Sequence, residues 1–206
     1  MLEKSDSFLV DSLREGSENA YMVVIEKYGQ KLYAYLVSLS GNKVVSQDLL
    51  QNVFLKLWEY KEKLQVDSSL KNYLYKTAYH EFINHYKRNH TRKLIEEKVF
   101  NEAIKQIDNR ALKNYSLVLN DTNWHEGVLG IVASRIKEKY NKPVFLLKKN
   151  NNMLKGSGRS IPNIDIGSLV ILAKQKNIIL NGGGHQMAAG ITLPYNKLDK
   201  FKTLDS

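Results

Sequence analysis

The 206 residues contain no cysteine, which excludes disulfides, a thiolate nucleophile and cysteine-ligated zinc. No uninterrupted apolar stretch is long enough to span a bilayer, and Met1-Leu-Glu-Lys-Ser-Asp6 lacks the basic-then-apolar order of a secretory signal. The expectation is a cytoplasmic protein with no membrane partner. Glycine is scarce in the first half: of 12, only Gly16, Gly29 and Gly41 precede residue 127. The five histidines, His80, His85, His90, His125 and His185, form no metal-ligand spacing.

What is present is an ordinary globular composition, 43% hydrophobic and 25% charged, unlike that of a disordered chain. The net charge of +10 is unevenly spread. After residue 90 come 19 of the 31 basic residues but only 10 of the 21 acidic ones, so the first ninety residues are nearly neutral. A basic surplus favours polyanions through counterion release. It points to nucleic acid, held chiefly by the second half, with plain solubility as the bland alternative.

The first ninety residues read as helices separated by short turns. Tyr21, Val24, Ile25, Tyr28, Leu32, Tyr35, Leu36 and Leu39 follow three-four spacing, and Gly41-Asn42 supplies a stop. A second helix is expected from Ser46 or Gln47, with Leu49, Leu50, Val53, Phe54, Leu57 and Trp58 on one side. Asp67-Ser68-Ser69 offers an N-cap for a third, Leu70 through Arg88. Asp48 and Gln51 lie one turn apart and share a face. The third helix interleaves Tyr73, Tyr75, Tyr79, Phe82 and Tyr86 with Lys71, Lys76, Lys87 and Arg88, a mixture suited to unstacked bases and phosphates. About half of these rings are expected in the core, since one helix face must pack.

After Asn89 the pattern changes. Helix continues from Arg92 to Ile107, and Tyr86–Lys93 reads as helix from both sides, so continuity across the join is expected. Tyr115–Leu119 and Pro143–Leu147 then read as strands flanking a helix at Gly127–Tyr140, the rhythm of a βαβ unit. Lys148–Asn152 reads as a polar turn. The expected fold class is α + α/β: an N-terminal helical bundle over residues 1–89, then a C-terminal α/β domain with a small mixed sheet over residues 90–206. In the second half, Gly182-Gly183-Gly184 allows close backbone approach and an anion-binding nest. His185 can donate to a phosphate oxygen. Arg159 offers a planar fork, with Ser160 as a neighbouring donor. Trp124 is a candidate for packing on the sheet, and His125 for either a structural or a binding role.

Two family resemblances rest on these residues. Asp48-Leu-Leu-Gln-Asn-Val-Phe-Leu-Lys-Leu-Trp58, Ser69-Leu-Lys-Asn-Tyr-Leu-Tyr75 and Tyr86-Lys-Arg88 resemble region 2 of bacterial sigma factors, closest in style to the extracytoplasmic-function class. That resemblance implies docking on RNA polymerase core through Asp48, Gln51 and Phe54. It also implies contact with a melted promoter strand through Tyr75, Lys76, Tyr79 and Arg88. The second domain of such factors, with its helix-turn-helix, has no counterpart after residue 92. Asn123-Trp-His-Glu-Gly-Val-Leu-Gly-Ile-Val-Ala-Ser-Arg135, Lys155-Gly-Ser-Gly-Arg-Ser160 and Gly183-Gly-His-Gln-Met-Ala-Ala-Gly190 resemble the DHH-associated domain of RecJ-type single-strand exonucleases. This implies single-stranded nucleic acid as partner, with Arg159, Ser160, Gly183, Gly184, His185, His125 and Lys155 as its contacts.

In the RecJ-type family a separate domain holds two metal ions and hydrolyses the strand. No Asp-His-His triplet occurs in this sequence, so no cofactor is expected on it, and Mn or Mg would act only with a DHH domain supplied in trans. Four readings stay open: a binding protein without catalysis, a sigma-like initiation factor, a RecJ-type fragment active only with a DHH domain, and a fusion without joint function.

Overall fold

The computed structural model describes residues 5–64 and 69–204. The chain divides into two compact units, Met1–Asn89 and His90–Ser206. Among the described residues, no helix is long and apolar enough to cross a membrane.

The first unit is all helix. Ser5 caps α1 (Asp6–Arg14), which buries Leu9, Val10 and Leu13. Ser17 caps α2 (Glu18–Ser40), its Oγ accepting from the Ala20 amide. Ala20, Val24, Tyr28, Leu32 and Leu36 recur every fourth residue along α2 and are buried, the stripe an amphipathic helix needs. Gly41 closes α2 at a φ of 65°, a left-handed position that costs glycine little. The next helix, α3 (Lys43–Glu59), starts earlier than its apolar pattern suggests. Asn42 Oδ1 accepts from the amides of Val44 and Val45 at 2.9 and 3.1 Å. Ser46 is no cap; it is fully buried, and its hydroxyl donates to the Asn42 carbonyl.

A 3₁₀ turn over Lys61–Lys63 comes next, and then α4 (Leu70–Lys105) runs 36 residues without a break. At its start Ser69 Oγ accepts from the Asn72 amide at 3.4 Å; Asp67 and Ser68 of the expected cap lie outside the described residues. Leu70, Leu74 and Ala78 of α4 join the core formed by α1, α2 and α3. Lys56 of α3 reaches the buried Glu81 of α4, and this hydrogen bond raises the Lys56 pKa above its ordinary value. From Tyr86 to Leu94 every residue of the helix is exposed.

In the second unit, the end of α4 packs Val99 and Ala103 into a new core. A five-stranded sheet has the order β1-β2-β3-β5-β4: β1 (Leu117–Asp121), β2 (Val144–Asn150), β3 (Met153–Arg159), β4 (Asn181–His185) and β5 (Ala188–Pro194). β1 and β2 are parallel and joined through α5 (Glu126–Tyr140); the other pairs are antiparallel. The sheet is therefore mixed, as the sequence suggests. The Lys148–Asn152 turn is corrected: Lys148, Lys149 and Asn150 continue β2. Only Asn151 and Asn152 separate the paired Asn150 and Met153, and Asn151 takes the φ of 51° that asparagine tolerates.

The sheet has two cores. On one face Phe145, Leu147, Leu154, Ala189, Ile191 and Leu193 pack with α6 (Ile166–Gln175) and α7 (Leu198–Lys202). On the other, Leu117, Leu119, Val144 and Leu146 pack with α5, Trp124 and the end of α4. Trp124 is fully buried and donates from Nε1 to Glu102 Oε2 at 3.1 Å.

Candidate nucleic-acid interface

The α5 face of the sheet is only partly covered. α5 packs against β2 and β3, while β5 and β4 continue outward with small or polar side chains. Residues paired across strands share a face, so the register sets out three rows. The first holds Asp121, Lys148, Lys155, Thr192 and Asn181. The second holds Leu119, Leu146, Ser157, Gly190 and Gly183, and the third Leu117, Val144, Arg159, Ala188 and His185. The second and third rows pass from a packed half to an open half, while the first is polar throughout. Asn181, Gly183, His185 and Gly190 are exposed, and a Cβ placed on Gly183 would meet nothing within 4 Å.

Gly182–Gly184 belongs to strand β4 rather than to a nest-forming loop. Glycine is a poor strand former on its own, and pairing with β5 overrides that preference. Its amides alternate along an extended strand, and of the three glycines Gly183 alone has open space beside it. The glycines differ in role: Gly184 lies tight against Ala188 and Ala189, unlike its open neighbour Gly183.

Cations edge this surface. Arg159 is half-buried, and its Nη1 donates to the Gly158 carbonyl at 2.8 Å. Lys155 is exposed and pairs with Glu126 Oε2 at 3.0 Å. The Lys155 ammonium holds the Glu126 carboxyl below its ordinary pKa, and Lys148 and His125 add smaller effects in the same direction. His125 is the N-cap of α5, its Nδ1 accepting from the Gly127 amide at 3.1 Å. His185 Nδ1 likewise accepts from the Met187 amide at 3.3 Å. An accepting Nδ1 places the proton of the neutral ring on Nε2, so each exposed imidazole presents an N–H outward. Hydrogen bonds from Ser168 hold Asp165, the N-cap of α6, below its ordinary pKa, with His185 a smaller contributor.

One expected contact is corrected. Ser160 is fully buried, and its hydroxyl donates to the Ile164 carbonyl at 2.7 Å, so it has no hydrogen to offer a phosphate. Lys148, Asn181 and Thr192 join the site unanticipated. Their signal is period-two alternation, visible in Lys155, Ser157 and Arg159 against Leu154, Gly156 and Gly158.

The family model described as the DHHA1 domain matches residues 96–204. The chain belongs to the DHHA1 domain family. A second model, sigma-70 region 2, matches residues 24–92, so the chain joins a sigma region 2 segment to a DHHA1 domain. Over 112 residues it is 43% identical to the single-stranded-DNA-specific exonuclease RecJ of Haemophilus influenzae, covering 51% of this chain and 20% of that protein. With RecJ of Escherichia coli K12 it shares 36% over 121 residues, 55% of this chain and 21% of that one. A crystal structure of exonuclease RecJ bound to manganese matches at 27% identity and a TM-score of 0.58, covering 85% of this chain and 43% of that one. The chain thus spans about a fifth of the length of these curated relatives. All three DHHA1 motif blocks fall around the open rows: the first caps and builds α5, the second forms β3, and the third forms the β4–β5 hairpin. Among the described residues there is no group of three or more His, Asp or Glu side chains placed to hold a metal ion.

In the sigma region 2 segment, Asp48 and Gln51 are exposed on α3. Phe54 is not an exposed contact: it is 6% exposed and meets Tyr21 edge-on in the core. It lines a cleft of about 590 Å³ together with Tyr21, Ile25, Gly29, Leu50, Gln51, Asn52 and Leu55. Along α4, Lys76, Tyr79 and Arg88 are exposed. Tyr75 instead packs on the core, its ring 5.1 Å from that of Tyr35. Tyr73 and Phe82 also pack there, and burial raises the Tyr73 pKa.

Proposed function

We propose that residues 90–206 bind single-stranded nucleic acid across the open half of β3, β5 and β4. The observation that carries this reading is the row of Ser157, Gly190 and Gly183, a strip nearly free of side chains. Lys148 and Lys155 flank it on one side and Arg159 and His185 on the other. A strand laid along it brings sugar and base close to backbone, while the cations meet phosphates. The names of the DHHA1 relatives, single-strand-specific nucleases, agree with that chemistry. Fluorescence anisotropy of a labelled single strand, titrated with the full chain at several salt concentrations, tests it. Arg159→Ala is expected to weaken binding on the order of tenfold and to reduce the log–log salt slope by about 0.7, one phosphate's share. Unchanged affinity and slope would count against the assignment.

In this reading residues 90–206 bind the strand, and hydrolysis is the work of a separate metal-holding domain. The sigma region 2 segment adds contact with RNA polymerase core through Asp48 and Gln51, and with an opened promoter strand through Lys76, Tyr79 and Arg88. The supporting features are the exposure of these five side chains and the place of Gln51 in the lining of a mostly apolar cleft. Capture of purified core polymerase on the full chain should fall when Asp48 and Gln51 are both changed to Ala, while single-strand binding stays as it was.

A further inference from the structure

The first DHHA1 motif block contains a helical glycine, Gly130, that neither caps nor ends α5. A glycine within a helix is unfavourable relative to alanine, so its presence asks for a reason of space. A Cβ built on Gly130 would lie 2.7 Å from Nη2 of Arg159 and 3.3 Å from its Cζ. The guanidinium is therefore seated against the bare backbone of α5. On its other side, Nη1 donates to the Gly158 carbonyl at 2.8 Å. Gly130's own carbonyl is taken by the Ser134 hydroxyl at 3.1 Å, so the glycine contributes room and not a bond to the fork.

We propose that Gly130 is a positioning residue for Arg159, its missing side chain fixing where the guanidinium fork meets a bound phosphate. Arg159 sits at the end of a flexible side chain, whereas the helix backbone is braced by its own hydrogen bonds and by the packing of Leu129, Val132 and Ala133 in the core. A methyl at 130 is accommodated by moving the fork and not the helix. The planar, two-pronged geometry that makes arginine a directional phosphate ligand is then spent at the wrong place. This inference rests on the reading of Arg159 as a phosphate contact.

The test compares Gly130→Ala, Arg159→Ala and the double variant in the full chain, using a labelled single strand at several salt concentrations and a thermal melt. Positioning predicts that Gly130→Ala loses affinity to about the extent of Arg159→Ala, on the order of tenfold. It predicts the same fall of about 0.7 in salt slope, a melt no lower than that of the parent, and a double variant no weaker than Arg159→Ala alone. Parental binding by Gly130→Ala beside a weakened Arg159→Ala overturns the positioning role and leaves the binding reading intact. Parental binding by Arg159→Ala overturns the phosphate contact and the positioning role together. Additive losses in the double variant also overturn it. The Nε–Hε resonance of Arg159, followed without nucleic acid, decides the point if Gly130→Ala melts early. A shifted peak supports displacement of the fork, and an unmoved one refutes it.

Discussion

Glu126 occupies a revealing place, since its carboxylate sits on the ammonium that a phosphate would need. A phosphate reaching Lys155 competes with that carboxylate for the ammonium and meets its negative charge. Glu126→Gln is therefore expected to tighten single-strand binding a few-fold at low salt, on the order of the worth of an exposed ion pair; anisotropy with the full chain measures it, and weaker binding would refute the competition. The same pair sets a pH dependence. The folded-state pKa of Glu126 lies below its ordinary 4.5, so its contribution to stability is present above that value and fades as pH falls below it. Glu126→Gln should flatten the loss of melting temperature between about pH 5 and pH 3 that this linkage produces. Lys155 and Glu126 are both well exposed, which keeps the effect small. At this scale the sequence is half legible. Arg159, Lys155, His125, His185 and Gly183 can be named from their motif blocks. That Ser160 is buried and spent on Ile164 depends on how residues 160–164 fold back, and nothing local to Arg159-Ser160 encodes that.

Helices are more legible than strands, for a physical reason. The four-residue ladder from Ala20 to Leu36 is carried by α2 alone, and the unbroken passage of α4 across residues 86–93 accords with local propensity. β3 and β4 carry little of their own: Lys155-Gly-Ser-Gly-Arg159 and Asn181-Gly-Gly-Gly-His185 become strands only through their neighbours. Even β1 begins at Leu117, two residues into the apolar run, leaving Tyr115 exposed. The start of α3 is hidden in the sequence because Asn42 reads as the stop of α2 while it also caps α3. Asn42→Ala should cost the first unit about 1 kcal/mol, the usual worth of an N-cap. Urea melts monitored within residues 1–89 measure it, and no change in midpoint would show that the cap is dispensable.

At the scale of the whole molecule, the basic surplus and the open rows fall in the same half of the chain, with 19 of 31 basic residues after residue 90. The described residues, by contrast, bring no three potential metal ligands together. Two-metal hydrolysis needs ions held by several carboxylates and imidazoles. Purified full chain incubated with a labelled single strand and Mn²⁺ or Mg²⁺ is expected to leave the strand intact over a time in which the same preparation binds it. Stepwise shortening would overturn the view that cutting belongs to another domain.

The glycines of β3 and β4 imply two different histories of constraint. Gly156 and Gly184 stand where any side chain would strike a neighbouring strand, whereas Gly183 faces empty space. A library varying all three and screened for soluble expression alone should return glycine at 156 and 184 and almost anything at 183. Screened for strand capture, it should return glycine at 183 as well, so the difference between the two screens isolates what the ligand, and not the fold, demands.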